Sequence, residues 1–295
     1  MALMIALILV AAGGVRAAPA QFPNATNATA FLRANAPPWD VLNAGTLFGA
    51  GGIVNTTVNV SLTAAAEFPW ARSVPASVWQ QAVLPYANVN EARTDWRKHF
   101  WAALAPLARR WAAANASLGL EGAARMANAA IWAPGVLGAH QIVFRSDQTP
   151  LIYDPMSTLV FGYASCTGVS ILYVDALRTI GVPARLVGTP AWHGVVANGN
   201  HNWVEVYLGA GEGPFKDGWG FIEGRPAGSA AETFADPCDK WFCHNGQFVN
   251  TSVFAAQWSH AGAPGVVYPM SWDVGNQAIA GVDRSALYQA ACAKC

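Results

Sequence analysis

The segment from Ser165 to Glu223 constrains the fold most, because its apolar period changes from that of a helix to that of a strand across one Gly-Pro break. Val169, Leu172, Tyr173, Ala176, Leu177 and Ile180 recur at three- and four-residue spacing, which predicts a helix with one buried face. Gly181 and Pro183 end it. Ala184 to Gly188 then read as a short strand, Asn198-Gly199-Asn200 as a turn, and His201 to Leu208 as a strand with strict alternation. His201, Trp203, Glu205 and Tyr207 share one face; Asn202, Val204, Val206 and Leu208 share the other, which is mostly apolar and expected to meet the core. Gly209 to Gly218 interrupt the pattern, and Trp219 to Glu223 return as the second arm of a long-looped hairpin.

Within this segment a thiol, an imidazole and a carboxylate follow in order. Ser165 occupies an N-cap position, so Cys166 falls in the first helical turn, where unpaired backbone N–H groups and the helix dipole favour the thiolate, the nucleophilic form of cysteine. Thr167 and Gly168 keep that turn small, which lets a substrate carbonyl approach. A hairpin symmetric about Glu212 pairs Leu208 with Lys216, Glu205 with Trp219, Trp203 with Phe221 and His201 with Glu223. Opposed side chains share a face about 5 Å apart. Glu223 is therefore expected to hold the His201 ring as the third member of a Cys-His-acid triad. Asp217 would lie roughly 20 Å from His201 and Glu205 about 13 Å. A one-residue slip would turn Glu223 to the other face. An amide-attacking thiolate also needs donors for the oxyanion, for which the backbone N–H of Cys166 and the side chain of Gln148 are candidates. His193 reads as a loop residue, and His99, His140, His244 and His260 have no cysteine or acid at a recognisable spacing.

Together, Ser-Cys-Thr-Gly at 165–168, Gly-Val-Pro-Ala-Arg at 181–185 and His-Asn-Trp-Val-Glu-Val at 201–206 resemble the transglutaminase-like superfamily over roughly residues 140–226. The resemblance implies an α+β fold, a transglutaminase-like or papain-like core in which a catalytic Cys at a helix N-terminus packs on an antiparallel sheet carrying the His and the acid. It implies Cys166 as nucleophile and His201 as its base, with an upstream glutamine such as Gln148 in the manner of papain-like enzymes. The family's third residue is usually Asp in a W-x-x-x-D pattern, whereas here Trp219 is followed by Glu223, a longer arm with the same chemistry. Trp192, Trp203 and Trp219 are placed either to shield a thioester from water or to fill the core.

An apolar run at residues 4–12 followed by small residues reads as a signal peptide over 1–20, too short to span a bilayer. Six N-x-[ST] sequons, at Asn24, Asn27, Asn55, Asn59, Asn115 and Asn250, point to the same secreted or secretory-lumen setting of a glycoprotein. Setting Cys166 aside leaves Cys238, Cys243, Cys292 and Cys295, enough for two disulfides in any of three connectivities, or for a structural zinc of C-x4-C and C-x2-C spacing. An oxidising compartment favours disulfides, so no metal is assigned.

Formal net charge is zero and no basic run appears, which argues against a nucleic-acid partner. No acidic cluster resembles a calcium loop, and no cofactor is implied. The organisation expected is a signal peptide (1–20), an N-terminal glycosylated leader (21–90), a transglutaminase-like catalytic core (91–235) and a Cys-containing C-terminal extension (236–295). Residues 21–75 read as poorly ordered or strand-containing; amphipathic helices are expected from about Thr94 to Ala116 and Gly122 to Trp132, packed against the sheet that carries His201. The function expected is a secreted cysteine enzyme acting on peptide or glutamine carboxamide bonds through a thioester at Cys166, with a peptide or protein substrate. Hydrolysis is favoured over amine transfer because no organised amine site is legible. The competing reading is a non-catalytic binding or structural module that keeps the fold; an acyltransferase using a small-molecule thioester is a third.

Overall fold

The computed structural model describes residues 24–258 and 265–295, so the signal peptide expected at 1–20 and His260 lie outside the described residues. The described leader is helical rather than strand-containing: α1 (Ala25–Ala34), α2 (Pro38–Leu42), α3 (Ala44–Phe48) and α4 (Ile53–Glu67) precede a short 3-10 turn at Pro69–Ser73. In α4, Val54, Val58, Ser61 and Ala65 are buried at helical spacing, a period that the sequons and glycines around it obscure. Trp70 donates its indole N–H to Ile180 O at 2.9 Å and ties this layer to the centre of the molecule.

Then come α5 (Ala76–Ala82), α6 (Trp96–Ala114), α7 (Leu120–Ala130), β1 (Val143–Phe144), α8 (Pro155–Phe161), β2 (Tyr163–Ala164) and α9 (Cys166–Thr179). Strands β3 (Ala184–Thr189), β4 (His201–Tyr207), β5 (Trp219–Ile222), β6 (Phe254–Gln257) and β7 (Ala280–Asp283) lead to the final helix, α10 (Ser285–Cys292). The sheet runs β5-β4-β3-β6-β7 with every neighbouring pair antiparallel, while β1 and β2 form a separate parallel pair. This mixed helix-and-sheet architecture is consistent with an α+β transglutaminase-like fold.

Helix α9 is the centre of the core. It lies on β3 and β4, and α4, α6, α7 and α8 close over it, so all 14 of its residues are buried rather than one face only. Most of its polar groups are matched internally, although Asp175 Oδ2 has no hydrogen-bond partner. Arg178 donates to the carbonyls of Ala82, Ala87 and Ala184, Asp175 accepts from Asn88 Nδ2, and Arg97 on α6 donates to Arg178 O. The helix α6 reaches the sheet through α9, whereas α7 touches both α9 and β4. Gly181, at φ 77°, ends α9, and a Cβ there would lie 2.7 Å from Ala71 Cβ.

Two details of the hairpin differ from the sequence reading. The ladder pairs Val204 with Ile222, Glu205 with Phe221, Val206 with Gly220 and Tyr207 with Trp219, two residues away from symmetry about Glu212. Continuing it sets Glu223 opposite Trp203, diagonal to His201; a two-residue shift keeps each side chain on its face. The face bearing His201, Trp203 and Glu205 is also buried. Phe242, Phe248 and Tyr288 pack on Trp203, so the C-terminal segment forms a second core layer over the sheet.

That segment is stapled by Cys238–Cys295 and Cys243–Cys292. Four cysteines paired in this way are not zinc ligands. Among the described residues no helix is long and apolar enough to cross a membrane, and the disulfides fit an extracellular protein.

Candidate active site

Cys166 begins α9 because the chain leaves β2 at Ser165 in an extended conformation and turns helical one residue later. Ser165 stands at the N-cap position, yet its hydroxyl bonds Thr149 Oγ1 and caps no helical amide. The first-turn N–H groups therefore remain free for the site. Gly168 is small for another reason than substrate access: a Cβ there would lie 2.6 Å from Ala164 Cβ and 3.1 Å from Tyr153 Cα, because the 152–153 backbone crosses the helix at this point.

The antiparallel ladder brings the start of β4 to the head of α9. His201 hydrogen-bonds the Cys166 thiol, and His201 Nε2 meets Glu223 Oε1 at 2.7 Å. With Nε2 spent on the carboxylate, Nδ1 faces the sulfur. All three are buried: Cys166 is 9% exposed, His201 4% and Glu223 1%. Burial raises the thiol pKa, but the hydrogen bond and charge of His201, with the backbone N–H groups of Asn202 and Thr167, hold it below the ordinary cysteine value. Burial pushes the Glu223 carboxyl up to about 8 against the pull of the Trp241 indole and the Lys240 charge.

Several supporting residues were not legible from the sequence. Asn128 on α7 donates to Glu223 O at 2.9 Å, which pins the end of β5. Glu232 accepts from Glu223 N at 3.0 Å and from Ser229 N at 2.8 Å. Its carboxyl is raised to about 7, first by burial. The Asn202 amide takes the Thr167 hydroxyl on Oδ1 and donates through Nδ2 to Tyr268 Oη at 2.6 Å. Burial pushes the Tyr268 hydroxyl up, and the nearby Cys166 adds to the rise. Gly188 opposes Asn202 across the ladder, and a Cβ there would fall 2.1 Å from Asn202 Nδ2. Lys240, Trp241 and Phe242 come from the C-terminal segment; the bracketing Cys238 and Cys243 mark that stretch as pinned, though not against what.

The other candidates fall elsewhere. Gln148 is on the loop before α8, its amide donating to Asp147 Oδ1 at 2.7 Å. Glu205 is buried among Arg185, Arg284 and Tyr288, and Asp217 pairs with Arg284. His193 leans on the 249–251 segment, its backbone N–H donating to Thr251 Oγ1 and its Nδ1 3.0 Å from Val249 O. Trp192 stacks on His201 at 6.4 Å, Trp203 is core, and Trp219 lies under the Arg185 guanidinium at the far end of the hairpin. All six sequon asparagines are exposed.

Residues 125–223 match the family model described as the transglutaminase-like superfamily, a span that runs from α7 to Glu223 and contains Cys166 and His201. Searches of curated proteins and of solved structures returned no match.

Proposed function

We propose that the transglutaminase-like segment makes this chain a secreted cysteine-dependent enzyme that acts on peptide or glutamine carboxamide bonds, with Cys166 as nucleophile, His201 as acid and base and Glu223 as the group that orients His201. The observation that carries the reading is the buried His201, flanked by the Cys166 thiol on one side and by Glu223 Oε1 at 2.7 Å on the other.

In this reading the thiol proton passes to His201 Nδ1, and the resulting imidazolium is held by Glu223. The thiolate attacks the amide carbonyl, and the backbone N–H of Cys166 is the first oxyanion donor, with the second N–H of the Gln148 amide, whose other donates to Asp147, as the candidate for the next. His201 returns the proton to the leaving nitrogen as the C–N bond breaks, which leaves an acyl thioester on Cys166. Water, deprotonated by His201, then attacks the thioester and releases a carboxylic acid and the thiol. Hydrolysis is favoured over amine transfer because no organised amine site was legible in the sequence. Secretion is supported by the two disulfides and by the exposure of the six sequon asparagines. The low exposure of Cys166 favours the second reading, a non-catalytic binding module of the same fold.

Iodoacetamide labelling of the purified protein from pH 4 to 9, with mass-spectrometric site assignment and a His201→Ala control, separates the two. Rapid labelling of Cys166 with a midpoint well below the free-thiol value of about 8.5, moved upward in the control, supports the enzyme. Slow labelling indifferent to His201 leaves the binding module.

A further inference from the structure

The proposed triad is drawn from α9, β4 and the end of β5, yet the outer side of the His201–Glu223 pair is built by four residues that lie between two cysteines. Asp239, Lys240, Trp241 and Phe242 are bracketed by Cys238 and Cys243, whose partners, Cys295 and Cys292, sit beyond and at the end of α10. The stretch is therefore anchored at both ends. Lys240 is buried, with Nζ donating to Thr233 O and Asp236 O and paired with Asp239 at 2.7 Å. Phe242 is fully buried against the His201 ring, centroids 5.2 Å apart.

Between them Trp241 stands out, since 56% of it is exposed although its chain neighbours on both sides are buried. Its ring meets the His201 imidazole edge-on at 4.9 Å. Its indole also acts on the Glu223 carboxyl, whose buried Oε2 has no hydrogen-bond partner. A large aromatic in this pose is not there to fill the core. One side of it is in solvent and the other covers the hydrogen bond on which the imidazolium depends.

We infer that Trp241 is a positioning residue of the active site, held by the two disulfides so that its indole N–H is presented to the otherwise unpartnered Glu223 Oε2 and its ring closes the His201–Glu223 pair off from water. The inference rests on the enzymatic reading above. The charged groups facing Glu223 are His201 from β4, Lys240 from the bracketed stretch and Glu232 from the loop after β5. Neither Lys240 nor Glu232 can replace the indole, because Lys240 Nζ is engaged by Thr233, Asp236 and Asp239, and both Glu232 oxygens accept backbone N–H groups. A donor to Glu223 favours the ionised carboxylate, which favours the imidazolium and through it the Cys166 thiolate.

Trp241→Phe keeps the ring and removes the N–H. The test is the pH profile of Cys166 alkylation in the full chain for wild type, Trp241→Phe, Glu223→Gln, the double variant and His201→Ala. The expected result is a midpoint raised by about half to one pH unit in Trp241→Phe, with little further rise when the same change is made on Glu223→Gln. A purely structural tryptophan would not move this midpoint. A wild-type profile that depends on His201 but is unchanged in Trp241→Phe overturns the role of Trp241 and leaves the enzymatic reading standing. A Trp241→Phe shift that persists undiminished on Glu223→Gln overturns the route through Glu223. A wild-type profile indifferent to His201 removes the enzymatic reading and this inference with it.

Discussion

The two buried glutamates of the hairpin invite one decisive comparison. Glu205, at the middle of β4, accepts from Arg185 Nε at 2.9 Å and Nη2 at 2.6 Å on one oxygen, and from Arg284 Nε at 2.9 Å and Tyr288 Oη at 3.1 Å on the other. Glu205→Gln keeps one acceptor oxygen and turns an NH2 group towards a guanidinium, while removing the carboxylate with which Arg185 forms its ion pair. Losing one partner of a buried ion pair costs about 3–5 kcal/mol. The lower end applies here, because Arg284 keeps Asp217 at 2.5 Å and Arg185 keeps the face of Trp219 at 3.9 Å. A loss of about 3 kcal/mol corresponds to a fall in Tm of roughly 6–12 °C for a domain of this size. Glu223→Gln should do the reverse. Its carboxyl is raised to about 8, so a neutral amide at pH 7 resembles the form that burial already favours, and Tm should change little. Labelling of Cys166 should instead slow markedly, because Glu223 can ionise when the imidazolium of the thiolate pair forms beside it and the amide cannot. Thermal unfolding by circular dichroism together with iodoacetamide rates at pH 7 reads both. If Glu205→Gln left Tm unchanged and abolished the fast labelling, Glu205 would be the acid and the assignment above would be refuted.

Two further outcomes follow from the same buried groups. Glu223 and Glu232 sit at about 8 and about 7 against an ordinary 4.5, so the folded chain holds protons that the unfolded chain has released. Their stabilisation is complete below about pH 4.5 and is lost as pH rises through 7 and 8, so urea-unfolding free energy should fall by more than about 1 kcal/mol over that window, and by less in Glu232→Gln; a flat profile in the wild type would contradict both raised values. Gly188→Ala would set a Cβ 2.1 Å from Asn202 Nδ2 and 2.6 Å from His201 O, costing about 1–3 kcal/mol; a urea midpoint equal to that of the wild type would show that the strands do not approach as closely as described.

Parts of the structure were legible because they rest on local order. Strand β4 begins at His201 as its alternation demands, α9 begins at Cys166 and ends at Thr179, two residues before Gly181, and α6 and α7 occupy Trp96–Ala114 and Leu120–Ala130, close to the periods that predicted them. The leader was misread because sequons and glycines are surface signals, and they masked the helical spacing of Val54, Val58, Ser61 and Ala65 in α4. The hairpin register was misplaced by two residues because a ten-residue Gly-rich loop has no preferred centre, unlike a two-residue turn. Gln148 illustrates a different gap: sequence distance from Cys166 says nothing of where its loop turns, and in the structure its amide is bonded to Asp147.

The sequence alone determined which residue types start which elements: a thiol at a helix N-terminus, an imidazole at the first position of an alternating strand and an acid at the end of the next, since helical and strand periods are properties of neighbouring residues. Only the tertiary structure decided that α9 is buried on every side and that the polar-looking face of β4 lies under a second layer. The same holds for the pairing of the four cysteines and for the seating of Trp241 on His201. These are contacts between segments far apart in the chain, selected by what remains to be buried once the local elements have formed, and no local period encodes them.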